Sequence, residues 1–324
     1  TSTAYNVGVD FAFLNNRLNG SVEYFGRKSG DMLYYKPVAP INGYSEIPMN
    51  VGSMTNSGLE IDLSYTILKN KNITWDVNAN ATFMKNKINE LHPDLKGELI
   101  DGSYIYSEGE SRYRMYLVKY AGVNPETGEA QYWAKDDNGE EYKTIDWNVA
   151  STTNKTASDD LLPTVYGGFG TSISAFGFDA SIQCSYQLGG TIYDSGYRSL
   201  MHGGTSSYAG QNWHTDIRNA WTPENPNTDV PRVNASDSYA ISTSDRWLTS
   251  SDYLSINNIT VGYTLPKSLT QKFMVSKLRL FFAADNVALL SARKGLDPRQ
   301  SFTSATTALY TPIRTVSGGI NITF

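Results

Sequence analysis

The chain has 324 residues, of which 40% are hydrophobic, 12% aromatic and 18% charged, with a formal net charge of −5. The charged fraction lies below the roughly 25% that is usual in globular domains. The mild acidity argues against a nucleic-acid partner, and no apolar run approaches the ~18 residues of a membrane-spanning helix. The single cysteine, Cys184, excludes an intrachain disulfide and a Cys-based metal site.

Nine segments alternate apolar and small polar residues with a period of two, which predicts nine β-strands. In chain order they cover residues 5–13, 18–27, 58–67, 73–83, 165–175, 176–188, 253–265, 277–287 and 315–324. In the sixth segment Cys184 falls on the apolar face. That face is expected to meet lipid, so a membrane-partitioning maleimide should label Cys184 in preference to a bulky water-soluble one.

The connections between these segments alternate in length. Short connections follow the first, third and fifth segments, with only Phe176-Gly177 after the fifth, and a moderate connection follows the seventh. The long connections lie near residues 29–53, 86–162, 190–251 and 288–312. The second of them contains a hairpin, expected to turn at Asn138-Gly139. Short turns on one side and long loops on the other are typical of an outer-membrane barrel.

The terminal strand and the strand count both favour a large barrel that is incomplete in this chain. The last residue, Phe324, is an aromatic side chain beside a free carboxylate, an arrangement that suits the interfacial aromatic girdle. A complete barrel begins and ends on the periplasmic side with an even number of strands. We therefore expect an all-β chain, the C-terminal part of a large antiparallel transmembrane β-barrel, whose upstream part is missing before Thr1.

Soluble alternatives fit less well. Connections in a β-sandwich are mostly about 4–6 residues long, and loops beyond about 15 are uncommon. A propeller would show a fixed repeat, and none is found. The polar face of the expected strands carries short acids and amides with few lysines, including Asp76, Asn80, Asp179, Gln183 and Gln187. Soluble edge strands usually carry lysine, so these residues favour a polar lumen.

Six stretches, in this order along nearly the whole chain, read YNVGVDFAFLNNRLNGSVEYFGRKSGDML, YAGVNPETGEAQYW, LLPTVYGGFGTSISAFGFDASIQCSYQLGG, YLSINNITVGYTLP, LRLFFAADNV and PIRTVSGGINITF. Together they resemble the SusC/RagA family of TonB-linked outer-membrane proteins of Bacteroidota. The sequence departs from the family pattern at Ser255, Asn257 and Ala284-Asp285. These differences change side chains on the strands and leave the expected fold unaffected.

The resemblance implies a barrel of 22 strands with an N-terminal plug. It also implies TonB-dependent import of nutrients, usually glycans or peptides, beneath an extracellular lid lipoprotein of the SusD type. The plug and the segment that touches TonB would lie upstream of Thr1. Residues 1–324 are thus expected to be the barrel's C-terminal segment, in the outer membrane, and inactive as a transporter on their own.

No motif indicates catalysis, a metal or a cofactor. The three histidines, His92, His202 and His214, lack metal-ligand spacing. The stretch from Asp136 to Glu141 is similar to part of a calcium loop but lacks the twelve-residue pattern, which favours a solvated hairpin turn. Gly167–Gly170 lies in a strand with no following helix, so a nucleotide-binding interpretation fails. We therefore expect no enzyme.

Aromatic residues in the long connections are the part of the sequence that indicates where function resides. The candidates for contact with cargo or lid are Tyr104, Tyr106, Tyr132, Trp133, Trp213, Trp221 and Trp247. Flat aromatic faces suit sugar rings and also anchor protein interfaces. The same side chains could instead pack the loops against each other.

The sequence therefore predicts an importer, with oligosaccharides as the expected cargo. Three alternatives stay open: a peptide importer of the same family, a passive porin or adhesin barrel, and a barrel that carries an enzyme. A passive barrel would need no upstream plug, and an enzyme would need an ordered triad that the histidines do not provide.

Overall fold

The computed structural model describes residues 1–39, 41, 43–50, 52–301 and 311–324. Residues 302–310 of the expected connection 288–312, and residues 40, 42 and 51 of the connection 29–53, lie outside the described residues. Within those ranges the strands are β1 (Ser2–Phe13), β2 (Leu18–Ser29), β3 (Leu33–Pro37), β4 (Glu46–Asn50), β5 (Gly52–Lys69), β6 (Ile73–Leu91), β7 (Glu98–Asp101), β8 (Tyr104–Ser107), β9 (Tyr116–Val118), β10 (Tyr120–Val123), β11 (Ala130–Lys135), β12 (Glu141–Thr144), β13 (Lys155–Ala157), β14 (Val165–Ala175), β15 (Phe178–Leu188), β16 (Thr191–Tyr193), β17 (Leu248–Ser250), β18 (Tyr253–Thr264), β19 (Lys277–Ser291) and β20 (Thr315–Thr323).

Helices are few and short. They are α1 (Trp147–Thr153), α2 (Ser195–Leu200) and α3 (Lys267–Thr270), with 3-10 turns at Pro93–Leu95, Ser206–Tyr208, Thr215–Asn219, Asp245–Trp247, Gln271–Phe273 and Pro298–Gln300. Each of the first two helices begins after an aspartate, Asp146 or Asp194, whose carboxylate accepts a hydrogen bond from a backbone amide of the first turn. Within the described ranges, no helix has both the length and the apolar character to cross a membrane.

One antiparallel sheet of nine strands dominates the structure, in the order β1-β2-β5-β6-β14-β15-β18-β19-β20. These are the nine strands that the alternating pattern predicts, so that prediction is confirmed. Five of them extend beyond the predicted limits, by the largest amounts in β5, which begins at Gly52, and β6, which continues to Leu91; β1, β2 and β19 are longer by two to four residues. In the extension of β5 and β6 the side chain of Asn86 donates to Asn56 across the strand pair, at 2.7 Å. Polar pairs of this kind interrupt the apolar alternation that marks a strand.

The register places the large apolar side chains on one face across all nine strands. Val22 lies between Val9 and Ile61, and towards the other end of the sheet Phe282 lies between Val261 and Gly318. Exposed rings and aliphatic chains cover this face, for example Val9 at 66% and Phe282 at 53% exposure. The arrangement fits the expectation that the face meets lipid.

The opposite face is polar. Asn80 pairs with Asp62 on one side and Gly168 on the other, and its side-chain oxygen accepts from the Gly168 amide at 2.8 Å. Further along the sheet, Arg279 forms an ion pair with Asp179. Amides, hydroxyls and paired charges on one sheet face match the polar lumen expected from the sequence.

The sheet has tight turns at one end and long connections at the other. The turn between β14 and β15 consists of Phe176 (φ 52°) and Gly177 (φ 89°), both left-handed, as a two-residue hairpin requires. The turn after β1 likewise uses left-handed Leu14, Asn15 and Asn16. The long connections after β2, β6, β15 and β19 all leave from the other end of the sheet.

Cys184 lies on the predicted face but is covered. It pairs with Phe169 on β14 and with Ile256 on β18, and only 7% of its surface is exposed. The expectation that it reacts readily with a membrane-partitioning maleimide therefore needs correction, because the thiol is buried between larger neighbours.

We expect slow labelling of Cys184 in the full-length protein by both lipid-soluble and water-soluble maleimides. Phe169→Ala removes the ring beside the thiol and should raise the rate with the lipid-soluble reagent severalfold. Phe282→Ala, on the same face two strands away, is the matched control and should leave the rate unchanged. Faster labelling by the water-soluble reagent would place the thiol on the polar face and contradict the register.

Candidate functional site

Two long connections, the one after β6 (92–164) and the one after β15 (189–252), fold together into a compact unit that we name the cap. Its first core combines residues of both. The buried members are Met115, Leu117, Leu161, Tyr193, Met201, Val230, Ile241 and Trp247. Strand β17 pairs with β16, which ties the two ends of the second connection together. The connections are therefore folded elements with an apolar interior.

A second core lies beneath the three-stranded sheet β10-β11-β12. Its buried residues are Val118, Ala130, Tyr132, Ala134 and Ala150. The Tyr132 hydroxyl donates to the Tyr239 carbonyl at 2.5 Å, which again joins the two connections. Burial raises the pKa of Tyr132 and raises that of the neighbouring Tyr120 to about 12.

Two of the seven aromatic candidates belong to these cores. Tyr132 and Trp247 each expose 1% of their surface. The Trp247 ring nitrogen donates to the Ser242 carbonyl at 2.9 Å, and the Arg246 guanidinium lies 4.6 Å from the Trp247 ring centroid. Neither ring offers surface to a bound molecule in this arrangement. Both pack the cap, which is one of the roles that the sequence left open.

Tyr104 and Tyr106 come together on β8. Their rings lie parallel, 2° apart in plane, with centroids 6.5 Å apart. Tyr104 packs against the first core, whereas Tyr106 borders a cavity of about 150 Å³ together with Met32, Tyr34, Ile88, Leu91 and Arg112. Burial raises the pKa of both hydroxyls. This pair is half-buried at the junction of the cap and the sheet.

Trp213 is the most exposed of the candidate tryptophans, at 49%. Its ring nitrogen donates to the His202 carbonyl at 2.7 Å, and its ring stacks on the His202 imidazole with centroids 5.1 Å apart. The other side of His202 stacks on Tyr208 at 4.9 Å. The indole is thus fixed in orientation on one side and open on the other.

Trp133 and Trp221 lie at two other places on the cap. The Trp133 ring contacts the ammonium groups of Lys119 and Lys143, at 5.8 and 5.3 Å from its centroid. The Trp221 ring nitrogen donates to the Pro125 carbonyl at 3.0 Å, and its ring covers Gly128. Gly128 has a φ of 75°, and a Cβ there would lie 2.4 Å from the Trp221 ring. Trp221 therefore packs closely against a turn of the connection after β6.

A charged cluster that the sequence did not reveal joins the connection after β19 to the cap. Arg293 forms an ion pair with Asp194, whose side chain is 4% exposed, and the Arg293 guanidinium lies 4.3 Å from the Tyr197 ring centroid. The Tyr197 hydroxyl donates to Asp216 at 2.9 Å. Burial, followed by the Asp216 contact, raises the pKa of Tyr197 to about 12.

The local sequence signal for this cluster was limited to Asp194. Its position before Ser195 marks it as a helix-capping aspartate, and it does cap α2 by accepting from the Tyr197 amide at 2.8 Å. Arg293 lies 99 residues away, so no spacing rule could pair the two.

A second arginine of the same connection is also anchored. Arg299 donates to both carboxylate oxygens of Asp297 at 2.8 and 2.7 Å and to the Ser255 hydroxyl at 2.8 Å. Asp297 and Ser255 are buried, at 3% and 0% exposure. These contacts hold the described part of the connection against the polar face of β18.

The calcium-like stretch is a hairpin turn. The Asp136 carboxylate accepts from the amides of Glu140 at 2.8 Å and Asn138 at 2.9 Å, and the first of these bonds contributes most to lowering its pKa. β11 and β12 flank this turn, which confirms the predicted hairpin. Across the described parts of the chain, no three His, Cys, Asp or Glu side chains are grouped as metal ligands.

Comparison with known proteins places these features in a family. A family model described as TonB dependent receptor-like, beta-barrel, matches residues 1–189. The whole chain is 28% identical to TonB-dependent receptor P3 of Formosa agariphila and covers 34% of that protein. Over 92% of its length the chain is 26% identical to TonB-dependent receptor SusC of Bacteroides thetaiotaomicron, of which it covers 29%.

A solved structure supports the same family assignment. The RagAB peptide transporter superposes on the whole chain with a TM-score of 0.83 and 25% identity, and the chain covers 35% of the matched transporter chain. The chain thus spans about a third of the length of its relatives. The resemblance to SusC and RagA is confirmed by the sequence relatives and by the shared nine-stranded sheet. The chain belongs to the TonB-dependent receptor-like β-barrel family and lies in the outer membrane.

Proposed function

We propose that the full protein imports oligosaccharides through the outer membrane by TonB-dependent transport, working with a SusD-like lid lipoprotein. In this proposal residues 1–324 form the C-terminal barrel segment, and the plug and the TonB contact come from the rest of the protein. The polar face of the sheet borders the lumen, and the cap lies on the extracellular side. The proposed activity is transport and involves no catalytic step.

The observation that carries the choice of cargo is the open indole of Trp213. A sugar ring has apolar C–H faces that pack well on a flat aromatic surface. A ring that is already fixed loses little conformational freedom when a ligand binds, and the hydrogen bond and the stack on His202 fix this one. Gln211 and Asn212 precede it and are exposed, so amide groups lie close to the ring for hydroxyl contacts.

Peptide import is the second candidate. It is favoured by the similarity to the RagAB peptide transporter, at a TM-score of 0.83. Peptides would depend less on one flat ring, because extended peptides are held largely through their main-chain hydrogen bonds.

The test measures binding of neutral oligosaccharides and of short peptides to the purified full-length protein with its lid lipoprotein. Trp213→Ala should weaken oligosaccharide binding about tenfold or more, the loss of ~1.4 kcal/mol or more that is typical of an aromatic anchor. Trp213→Phe keeps a flat ring and should retain most of the affinity. Tight peptide binding that ignores both substitutions, with no oligosaccharide binding, would replace the proposed cargo by peptides.

A further inference from the structure

Three neighbouring side chains form a row on the surface of the cap, which we name the lysine–tryptophan face: Lys119 between β9 and β10, the half-buried Trp133 on β11, and Lys143 on β12. Trp133 pairs with Lys143 across β11 and β12. On the other side the Trp133 amide donates to the Lys119 carbonyl at 2.9 Å. The residues next to Trp133 in β11, Tyr132 and Ala134, point into the second core with 1% and 0% exposure. The face therefore rests on a tightly packed layer.

The face carries an excess of positive charge. Both lysines are exposed, and their ammonium groups lie 5.8 and 5.3 Å from the Trp133 ring centroid. In the described part of the chain, neither lysine forms an ion pair with a carboxylate. The same face continues to Lys135, opposite Glu141. Asp245 partly offsets the charge of Lys119, and its carboxylate also accepts from the Tyr120 amide at 2.7 Å.

We propose that the lysine–tryptophan face binds a carboxylated oligosaccharide, a chain that contains uronic acids. Lys119 and Lys143 flank Trp133 of β11 on opposite sides, so their backbones stand roughly 10 Å apart, two strand spacings. Carboxylates that recur along a sugar chain can meet both ammonium groups, and charge-assisted hydrogen bonds of this kind are about twice as strong as neutral ones. The exposed part of the Trp133 ring supplies the apolar contact for the sugar ring between them.

A protein partner fits this surface less well. Stable protein interfaces bury about 800 Å² per partner around an apolar centre from which lysine and glutamate are depleted. Here the single ring is surrounded by Gln131, Lys135 and Glu141, all polar. A narrow, charged ligand suits this row better than a broad apolar one.

This inference rests on the proposed function, because it names the chemical class of one cargo. It adds a contact at a different place on the cap from Trp213, since Trp133 lies in β11 over the second core, whereas Trp213 stacks on His202. An acidic chain would meet the lysine–tryptophan face through charge, whereas neutral sugars would depend on Trp213 alone.

The experiment measures binding of an oligogalacturonate and of a neutral oligosaccharide of equal length to the full-length protein with its lid lipoprotein. Lys119→Gln/Lys143→Gln should weaken oligogalacturonate binding about tenfold or more, as loss of two charge-assisted contacts implies, and should reduce its salt dependence. Trp133→Ala should weaken it as well. Binding of the neutral sugar should not change in either variant.

Lys69→Gln/Lys71→Gln is the matched control, because it removes the same charge at the short-turn end of the sheet, where both lysines are exposed. Equal losses in the control and the test variant would reduce the effect to net charge and overturn the proposal. The proposal would also be overturned if oligogalacturonate bound no more tightly than the neutral sugar. The same holds if the lid lipoprotein alone accounted for the oligogalacturonate binding. Failure to bind either sugar, with tight binding of peptides, would instead overturn the proposed cargo class.

Discussion

Trp247→Ala is expected to unfold the cap while the nine-stranded sheet stays intact. The ring is 1% exposed and belongs to a core shared by both connections of the cap. Truncating a buried Trp typically costs ~3–5 kcal/mol, and the hydrogen bond to the Ser242 carbonyl is lost as well. Limited proteolysis of the full-length protein should then cut within residues 113–161 and 191–250, whereas the barrel should keep its resistance to unfolding by detergent.

Trp213→Ala is the matched control, the same substitution at a ring that is 49% exposed. It should leave the protease resistance of the cap close to that of the unchanged protein. If both variants resisted protease equally well, the shared core would contribute far less than its burial implies, and the connections would not form one folded unit.

Arg293→Ala is expected to detach the connection after β19 from the cap. The Asp194 carboxylate is 4% exposed and would lose its positive partner. Removing one member of a buried ion pair typically costs ~3–5 kcal/mol, because the other charge stays buried and unpaired. Hydrogen exchange should accelerate across α2 and the turn at Thr215–Asn219, which meet through Tyr197 and Asp216.

A second substitution separates the charge effect from general damage. Asp194→Asn keeps an oxygen that can cap α2 at the Tyr197 amide but removes the negative charge. The double variant Asp194→Asn/Arg293→Ala should therefore exchange more slowly than Arg293→Ala alone, a coupling that a double-mutant cycle measures. Exchange in the double variant as fast as in the single one would show that buried charge is not the cause.

The strands could be predicted because their signal is local. Period-two alternation identifies each of the nine main strands from its own ten or so residues, and short links such as Leu14 to Arg17 mark the tight turns between them. The left-handed backbone of Leu14, Asn15 and Asn16 was not predicted. The limits of β5 and β6 were wrong because residues such as Asn56 and Asn86 pair side chain to side chain within the sheet. A polar pair of this kind gives no apolar period.

The cap could not be predicted because its contacts link distant residues. Met115 and Trp247 share one core although more than a hundred residues separate them. Trp213 and Trp247 lie in the same long connection, yet one is 49% exposed and the other 1%. Only the fold distinguishes the ring that can meet a ligand from the ring that stabilises the cap.

TonB-dependent import is tested by the uptake of labelled oligosaccharides and peptides into cells that make the full-length protein and the proposed lid lipoprotein. Uptake is compared between cells with an intact TonB system and cells without it. TonB-dependent import predicts oligosaccharide uptake that stops when TonB is removed and falls with Trp213→Ala. Uptake that continues unchanged without TonB and without the lid would identify a passive pore and rule out TonB-dependent import.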